Sequence, residues 1–167
     1  MQQFEFRLLE NDTYGVMGYT GDEPEVTVPE TYARKPVTLL FDDLFSGHTE
    51  ITSVTLPATV TDLGEFLFEG CTGLRHITLP ESLSSIWPYA FARSGLEEIT
   101  LPDGLTSIAP FTFQSCHALE KVVCGAGMEV IHAGAFGDCP RLKEVLHGPQ
   151  VDMSPRAFES LRDKPAP

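Results

Sequence analysis

Apolar residues recur along this chain at a fixed interval. A phenylalanine returns every 22 or 23 residues, and the column reads Phe45, Phe68, Phe91, Phe113, Phe136 and Phe158. A second column has the same spacing and holds Pro57, Pro80, Pro102, Gly125 and Gly148. Two independent columns with one period indicate internal repeats, each of which is one supersecondary unit. We therefore expect a stack of similar coils, because one such unit cannot bury its own apolar face.

Within one repeat, apolar and polar residues alternate over a short stretch. Ile77 and Leu79 alternate with polar neighbours, which predicts a half-buried strand. Pro80 ends this strand, because proline has no N–H to continue a ladder. A second apolar pair, Leu83 and Ile86, follows before the phenylalanine. Strands of neighbouring coils should pair about 4.8 Å apart and share one continuous core.

This repeat resembles the unit of the BspA-like leucine-rich repeat family. The residues that match are Cys71, Leu74, Ile77, Leu79, Pro80, Leu83, Ile86, Ala90 and Phe91. Gly64 alone keeps the glycine that the family places after its second apolar pair. The resemblance covers about residues 19–160. It implies a β-rich α/β solenoid, specifically a right-handed leucine-rich repeat superhelix of about six coils. For surface members it also implies adhesion, or recognition of host proteins and glycans.

The two ends of the chain predict caps on a single leucine-rich repeat domain over 1–167. Residues 1–19 alternate around a polar turn, which predicts an N-terminal β-hairpin cap. Residues 20–153 carry the repeats. Ser154 followed by Pro155 is typical of a helix start, so a short C-terminal capping helix is expected over 154–163, with a tail over 164–167.

Charge narrows the classes of partner. The net charge is −13, and residues 1–50 contribute −7 of it, with ten acidic and three basic side chains. An acidic surface repels phosphate backbones, so we expect no nucleic-acid partner. No stretch approaches the ~20 apolar residues of a membrane span, and no signal peptide is visible. We expect a cytoplasmic protein if Met1 is the natural start, whereas the family resemblance implies a secreted or cell-surface one.

Candidate chemistry is sparse. The cysteines Cys71, Cys116, Cys124 and Cys139 fall at positions that the repeat buries, which predicts structural thiols. Cys116 and Cys139 lie in neighbouring coils within disulfide range, so an oxidised pair remains an alternative. His147 takes a core-leucine position, which predicts a partly covered edge histidine. No motif for a nucleophile, a metal or a phosphate occurs, so we predict no catalytic residue, no metal site and no cofactor.

Two surfaces remain as candidate binding sites. The strand face carries His76, Thr78, Glu98, Thr100, Lys121, Val123, Glu144 and Leu146. The aromatic edge carries Phe66, Trp87, Tyr89 and Phe111. A threonine-rich strip also suits a solvated strand, and aromatic rings also pack along a coil edge, so both sets have a purely structural explanation. Exposed apolar residues in rows, as at Val123 and Leu146, are nevertheless typical of interfaces.

The function predicted from the sequence is a non-catalytic scaffold that binds a protein through the sheet face. The identity of that protein is not given by the residues, and a glycan is a further candidate partner. The alternative is a purely structural repeat module, either monomeric or weakly self-associating end to end. An enzyme is not expected, because no paired acid and base or activated nucleophile emerges.

Overall fold

Short strands joined by turns build the whole chain. The computed structural model describes residues 1–160, and within them fourteen strands form and no helix. In chain order these are β1 (Gln3–Leu8), β2 (Tyr14–Thr20), β3 (Glu25–Thr27), β4 (Thr31–Tyr32), β5 (Lys35–Leu40), β6 (Ser53–Thr55), β7 (Asp62–Leu63), β8 (Ser85–Ile86), β9 (Glu98–Thr100), β10 (Ser107–Ile108), β11 (Lys121–Val123), β12 (Val130–Ile131), β13 (Glu144–Leu146) and β14 (Asp152–Met153).

Two ladders of parallel strands run along the stack of coils. In the first ladder β3 pairs with β6, and β9, β11 and β13 pair in that order. In the second ladder β5, β7 and β8 pair in order, and so do β10, β12 and β14. Val122 faces Ile99 on one side and Val145 on the other. Paired strands are thus one repeat apart, and the fold is a β-solenoid of about six turns, one for each phenylalanine of the column.

The phenylalanine column forms the centre of the core, as its spacing predicted. Five of the six side chains are at most 1% exposed, and only the terminal Phe158 is half exposed. Neighbouring rings stack almost in parallel, with centroids 5.2 to 5.7 Å apart. Such a ring pair contributes about 0.5–1.5 kcal/mol beyond the burial of its area. Each turn of the solenoid is therefore joined to the next by one ring contact at the same place.

Two columns of left-handed residues flank the phenylalanines. Two positions before the ring they are Asp43, Phe66, Tyr89, Phe111 and Gly134, and two positions after it Gly47, Gly70, Arg93, Ser115 and Asp138. A positive φ is uncommon for a residue other than glycine. At these corners amides bond to the next coil: Asp43 donates to the Glu65 carbonyl, and Gly70 to that of Ala92, both at 2.9 Å. These corner hydrogen bonds therefore join neighbouring coils along a third line, beside the two ladders, although no strand forms there.

The N-terminal hairpin closes one end of the stack. β1 and β2 pair in antiparallel fashion, as the alternation at the N-terminus predicted, and β2 then pairs in parallel with β5. The Phe6 ring stacks on Tyr32 at 4.0 Å between centroids, and Tyr19 packs edge-on against Phe45 at 5.2 Å. The hairpin therefore continues both the second ladder and the aromatic core.

The predicted C-terminal helix is wrong over residues 154–160, which form a turn after β14. In an α-helix, each carbonyl of this segment would accept a hydrogen bond from the amide four residues later in the chain. Two of them are instead taken by the preceding coil, because Gly134 donates to Arg156 and Phe136 donates to Ala157, at 2.9 and 2.8 Å. The remainder of the predicted helix and the tail lie outside the described residues. The α/β description is accordingly corrected to a β-solenoid, and no helix within residues 1–160 could span a membrane.

Candidate functional site

Parallel register sets the side chains of the strand face in rows. Lys121 lies between Glu98 and Glu144 in adjacent strands, and Val123 lies between Thr100 and Leu146. Alternation turns the middle residue of each strand inward and leaves these side chains on the outer side. Val123 is half-buried, whereas Leu146, on the last strand of the ladder, is 46% exposed.

The first ladder is interrupted at residues 76–79, where the repeat pattern predicts a strand. Within residues 1–160, no backbone hydrogen bond links these four residues to β6 or β9. The last bond before the interruption runs from the Glu97 amide to the Arg75 carbonyl at 3.0 Å. The candidate strand at His76–Thr78 is therefore only an extended segment between two strands, and its amides and carbonyls form no hydrogen bond with either of them.

This interruption lies in a groove of about 730 Å³, here called the His76 groove. Its floor is apolar, and Ile77 and Leu79 in it are at most 9% exposed. Its rim carries the side chains of Ser53, Thr55, His76, Thr78, Glu98 and Thr100. Four of the predicted strand-face residues thus come together around one concavity.

A second recess of about 480 Å³ adjoins the groove and shares His76 and Glu98 with it. Arg75 donates to Glu97 at 2.7 Å, and Lys143 lies 3.6 Å from Glu120. These ion pairs are largely exposed, and such pairs contribute only about 0–1 kcal/mol each. The recess is lined by four glutamates and two lysines, so it carries an excess of negative charge that such weak ion pairs do not remove.

The structure therefore divides the predicted strand face. Lys121 and Glu144 line the second recess, whereas Val123 and Leu146 line neither. The sequence prediction missed the groove itself. One signal existed: Leu74 follows its phenylalanine by six residues, but Leu96 follows Phe91 by five, so the repeat loses a residue where the groove meets β9.

The aromatic edge forms a stack of three rings on the outside of the corner. The centroids of Phe66 and Tyr89 are 4.7 Å apart, and those of Tyr89 and Phe111 are 4.9 Å apart. All three are half-buried and adopt positive φ. Trp87 shares no ring contact with them and is 54% exposed. The stack is thus part of the packing between coils, while Trp87 is presented to solvent.

The cysteines serve the packing, as their column predicted. Cys71 and Cys116 are fully buried, Cys124 and Cys139 are half-buried, and all four are free thiols. The thiols of Cys71, Cys116 and Cys139 donate to phenylalanine carbonyls of the preceding coils at 3.0 to 3.1 Å. Burial raises the pKa of the Cys71 and Cys116 thiols to about 12, and of Cys124 and Cys139 to about 11. These groups are therefore poor nucleophiles, because the thiolate is the reactive form.

His147 lies at the edge of the first ladder, as predicted, but its side chain is exposed and not partly covered. β13 is the last strand of its ladder among the described residues, so no following coil covers the position. The imidazole Nδ1 is 2.8 Å from the Gly148 carbonyl, a local contact. Within residues 1–160, no cluster of histidine, cysteine, aspartate and glutamate side chains could hold a metal ion.

Short parallel strands at one period, a stacked phenylalanine core and hydrogen-bonded corners define a leucine-rich repeat solenoid. The chain belongs to the BspA-type leucine-rich repeat family, since the model of that repeat region matches residues 38–162 in six copies. No curated protein sequence matches the chain. The family's known structures are repeat proteins, and no enzyme family is indicated.

Three solved structures illustrate the similarity. The leucine-rich repeat protein TpLRR of T. pallidum is 32% identical with a TM-score of 0.82, over 85% of this chain and 67% of that one. A leucine-rich repeat protein from Bacteroides ovatus is 28% identical with a TM-score of 0.67, over 95% of this chain and 49% of that one. A leucine-rich cell surface protein from Faecalibacterium prausnitzii is 24% identical with a TM-score of 0.62, over 87% and 54%, and supports the fold alone. The chain thus spans about half the length of the last two.

Proposed function

We propose that the chain is a non-catalytic recognition scaffold that binds a segment of a partner protein in the His76 groove. The observation that carries this proposal is the interruption of the first ladder at residues 76–79. A stacked solenoid normally satisfies every strand amide and carbonyl from its neighbours. Here a run of these groups has no partner among the described residues and lies beside an open groove.

A protein segment suits this groove better than a small metabolite does. The groove is open along the strand face and carries hydroxyl, imidazole and carboxylate groups over an apolar floor. Interfaces combine an apolar centre with a polar rim in this way. An extended peptide would offer amides and carbonyls to residues 76–79 and side chains to the threonines. The charges of the second recess would then select among partners, because exposed charges influence specificity more than affinity.

Val123 and Leu146 have a different place in this proposal. Val123 pairs with Thr100 of the groove rim, and Leu146 lies one coil further along, so they would extend the contact area of a bound protein and would not anchor it. The sheet face remains the proposed binding surface, but its centre moves from these apolar residues to His76 and Thr78. A glycan would use the same hydroxyl and carboxylate groups, and the test below distinguishes it from a protein.

Site-specific photocrosslinking tests the proposal. The photoreactive amino acid benzoylphenylalanine replaces Thr78 in one variant and Glu129 in a matched control, both of which are exposed. Each variant is irradiated with lysate and culture supernatant of the source organism. We expect a discrete protein adduct from the Thr78 position and none from Glu129, which follows the turn before the second ladder. Equal adducts from both positions, or none from either, would contradict the proposal.

A competing substitution adds a second readout. Thr100→Arg places a long charged side chain on the groove rim, and we expect it to reduce the Thr78 adduct about fivefold, which corresponds to about 1 kcal/mol of binding energy. The same substitution should leave the circular dichroism spectrum unchanged, because Thr100 is exposed. An unreduced adduct would show that the partner does not occupy the groove.

We also propose a location at the cell surface. The support is membership of the BspA-type family, whose surface members the sequence resemblance brought into consideration. Fractionation of the source cells, with surface labelling by an impermeant amine reagent, tests it; labelling only after lysis would contradict it.

A further inference from the structure

A single column of the solenoid carries both an internal cation–π contact and an exposed tryptophan. The Arg7 guanidinium lies over the Phe41 ring, 6.0 Å from its centroid. Phe41, Gly64 and Trp87 occupy the same position in three consecutive coils. The Gly64 amide donates to the Leu40 carbonyl at 2.8 Å, and the Trp87 amide donates to that of Leu63 at 3.0 Å. Phe41 and Trp87 are therefore two coils apart, and only a glycine lies between them.

Trp87 lacks the partner that Phe41 has. It is 54% exposed, and no aromatic ring or cation of the described residues lies against it. A tryptophan face is the strongest aromatic acceptor for a cation. In this column Phe41 therefore has a cation over its ring, whereas Trp87 has none among the described residues.

Three carboxylates without a cation lie in the two coils that precede Trp87. Asp42 accepts the Glu65 amide at 2.7 Å, and the Asp43 amide donates to the Glu65 carbonyl at 2.9 Å, which holds three acidic residues in one strip. None of the three forms an ion pair with residues 1–160. The coils of Glu65 and Trp87 are joined at the next residue of each, because the Phe66 amide donates to the Pro88 carbonyl at 3.3 Å.

We propose that Trp87 and this acidic strip form a docking site for an arginine-bearing segment of a partner protein. The guanidinium lies over the indole as that of Arg7 lies over the Phe41 ring, and Asp43 and Glu65 neutralise its charge. Arginine fits better than lysine, because its planar group stacks on an aromatic face and hydrogen-bonds to carboxylates at the same time. The site lies on the aromatic edge and is distinct from the His76 groove, so its failure would leave the proposed function untouched.

The position of the tryptophan allows a direct test, because Trp87 is the only tryptophan of the chain. Intrinsic fluorescence is titrated with a tetra-arginine peptide and with the matching tetra-citrulline peptide, which keeps the shape and lacks the charge. We expect saturable quenching by the arginine peptide at low salt and none by the citrulline peptide. Saturable quenching by both peptides would overturn the proposal, as would the absence of quenching by either.

Three substitutions separate a defined site from general attraction to an acidic protein. For the Trp87→Ala variant, calorimetric titration with the arginine peptide should show no heat of binding. Glu65→Gln should weaken binding about threefold, as expected for one exposed ion pair. The control Glu129→Gln removes an exposed carboxylate elsewhere and should change nothing. Binding that survives Trp87→Ala, or that falls equally in Glu65→Gln and Glu129→Gln, would contradict the assignment.

Discussion

Substitution of Phe91 by alanine tests whether the stacked column is the main source of stability. Phe91 is fully buried and stacks on Phe68 at 5.2 Å and on Phe113 at 5.6 Å. Removal of a buried phenylalanine costs about 3–5 kcal/mol, and the loss of two ring contacts places this site near the upper end. Phe158 is half exposed and stacks on one ring only. Its replacement by alanine should cost about 1 kcal/mol, since half the area is already in water.

Urea denaturation followed by circular dichroism measures both losses. The free energy of unfolding of a small domain is about 5–15 kcal/mol, so Phe91→Ala should shift the urea concentration at the unfolding midpoint strongly. Its m-value should also fall, because a defect in the middle of a repeat array lets the two halves unfold separately. Phe91→Leu is the control, since it keeps most of the volume and loses only the ring contacts. Equal losses from Phe91→Ala and Phe158→Ala would refute the reasoning that ring stacking along the column holds the coils together.

Three further predictions concern the corners and the thiols. Gly64→Ala should lower the free energy of unfolding by about 1–3 kcal/mol in a thermal denaturation experiment, because the added Cβ would lie 2.6 Å from backbone atoms of the preceding coil. Gly104→Ala is the control and should change the stability little, because a Cβ there would lie 3.4 Å from its nearest neighbour. Tyr89→Gly should be about 1 kcal/mol more stable than Tyr89→Ala in urea, because φ is positive there; the reverse order would contradict a left-handed corner. The raised pKa of Cys116, about 12, means that the unfolded thiol ionises first, so this thiol should lower the free energy of unfolding by about 1.4 kcal/mol per pH unit above about pH 9, in addition to what the other three buried thiols contribute. The slope measured for Cys116→Ala should be smaller by about that amount.

The repeat period was sufficient to predict most of the fold. The spacing of Phe45 to Phe158 identified the core column, and the alternation within each repeat predicted the first ladder. The second ladder, which forms at the second apolar pair of each repeat, was not predicted. The period carries this information because each coil must repeat its neighbour to bury a continuous core. The predicted C-terminal helix is absent over residues 154–160 for a related reason. Ser154 and Pro155 are strong local signals, but the carbonyls that follow them already bond to the preceding coil.

The candidate site was only partly predictable. His76, Thr78, Glu98 and Thr100 were identified as surface residues, but nothing in their own pattern distinguishes them from the equivalent residues of β11 and β13. The interruption of the first ladder distinguishes these four residues. It could not be predicted from their own pattern, because hydrogen bonding between coils depends on the geometry of whole turns. The one-residue shortening before Leu96 was visible in the sequence, yet its effect appears only when neighbouring coils are superposed in space.

Variation within the columns separates structure from candidate function in this chain. The core column repeats phenylalanine in every coil, because each ring must stack on the next. The column that begins at Phe41 holds Gly64, Trp87, Ala109 and His132 in later coils. Apart from Gly64, where the backbone of the preceding coil leaves no room for a side chain, this position holds side chains of very different size, so packing between coils does not require one particular side chain there. A large apolar side chain that is more than half exposed at such a position gains little for stability. The exposed Trp87 is therefore the member of this column on which the proposed docking site depends, whereas the stacked rings of Phe66, Tyr89 and Phe111 belong to the packing of the corner.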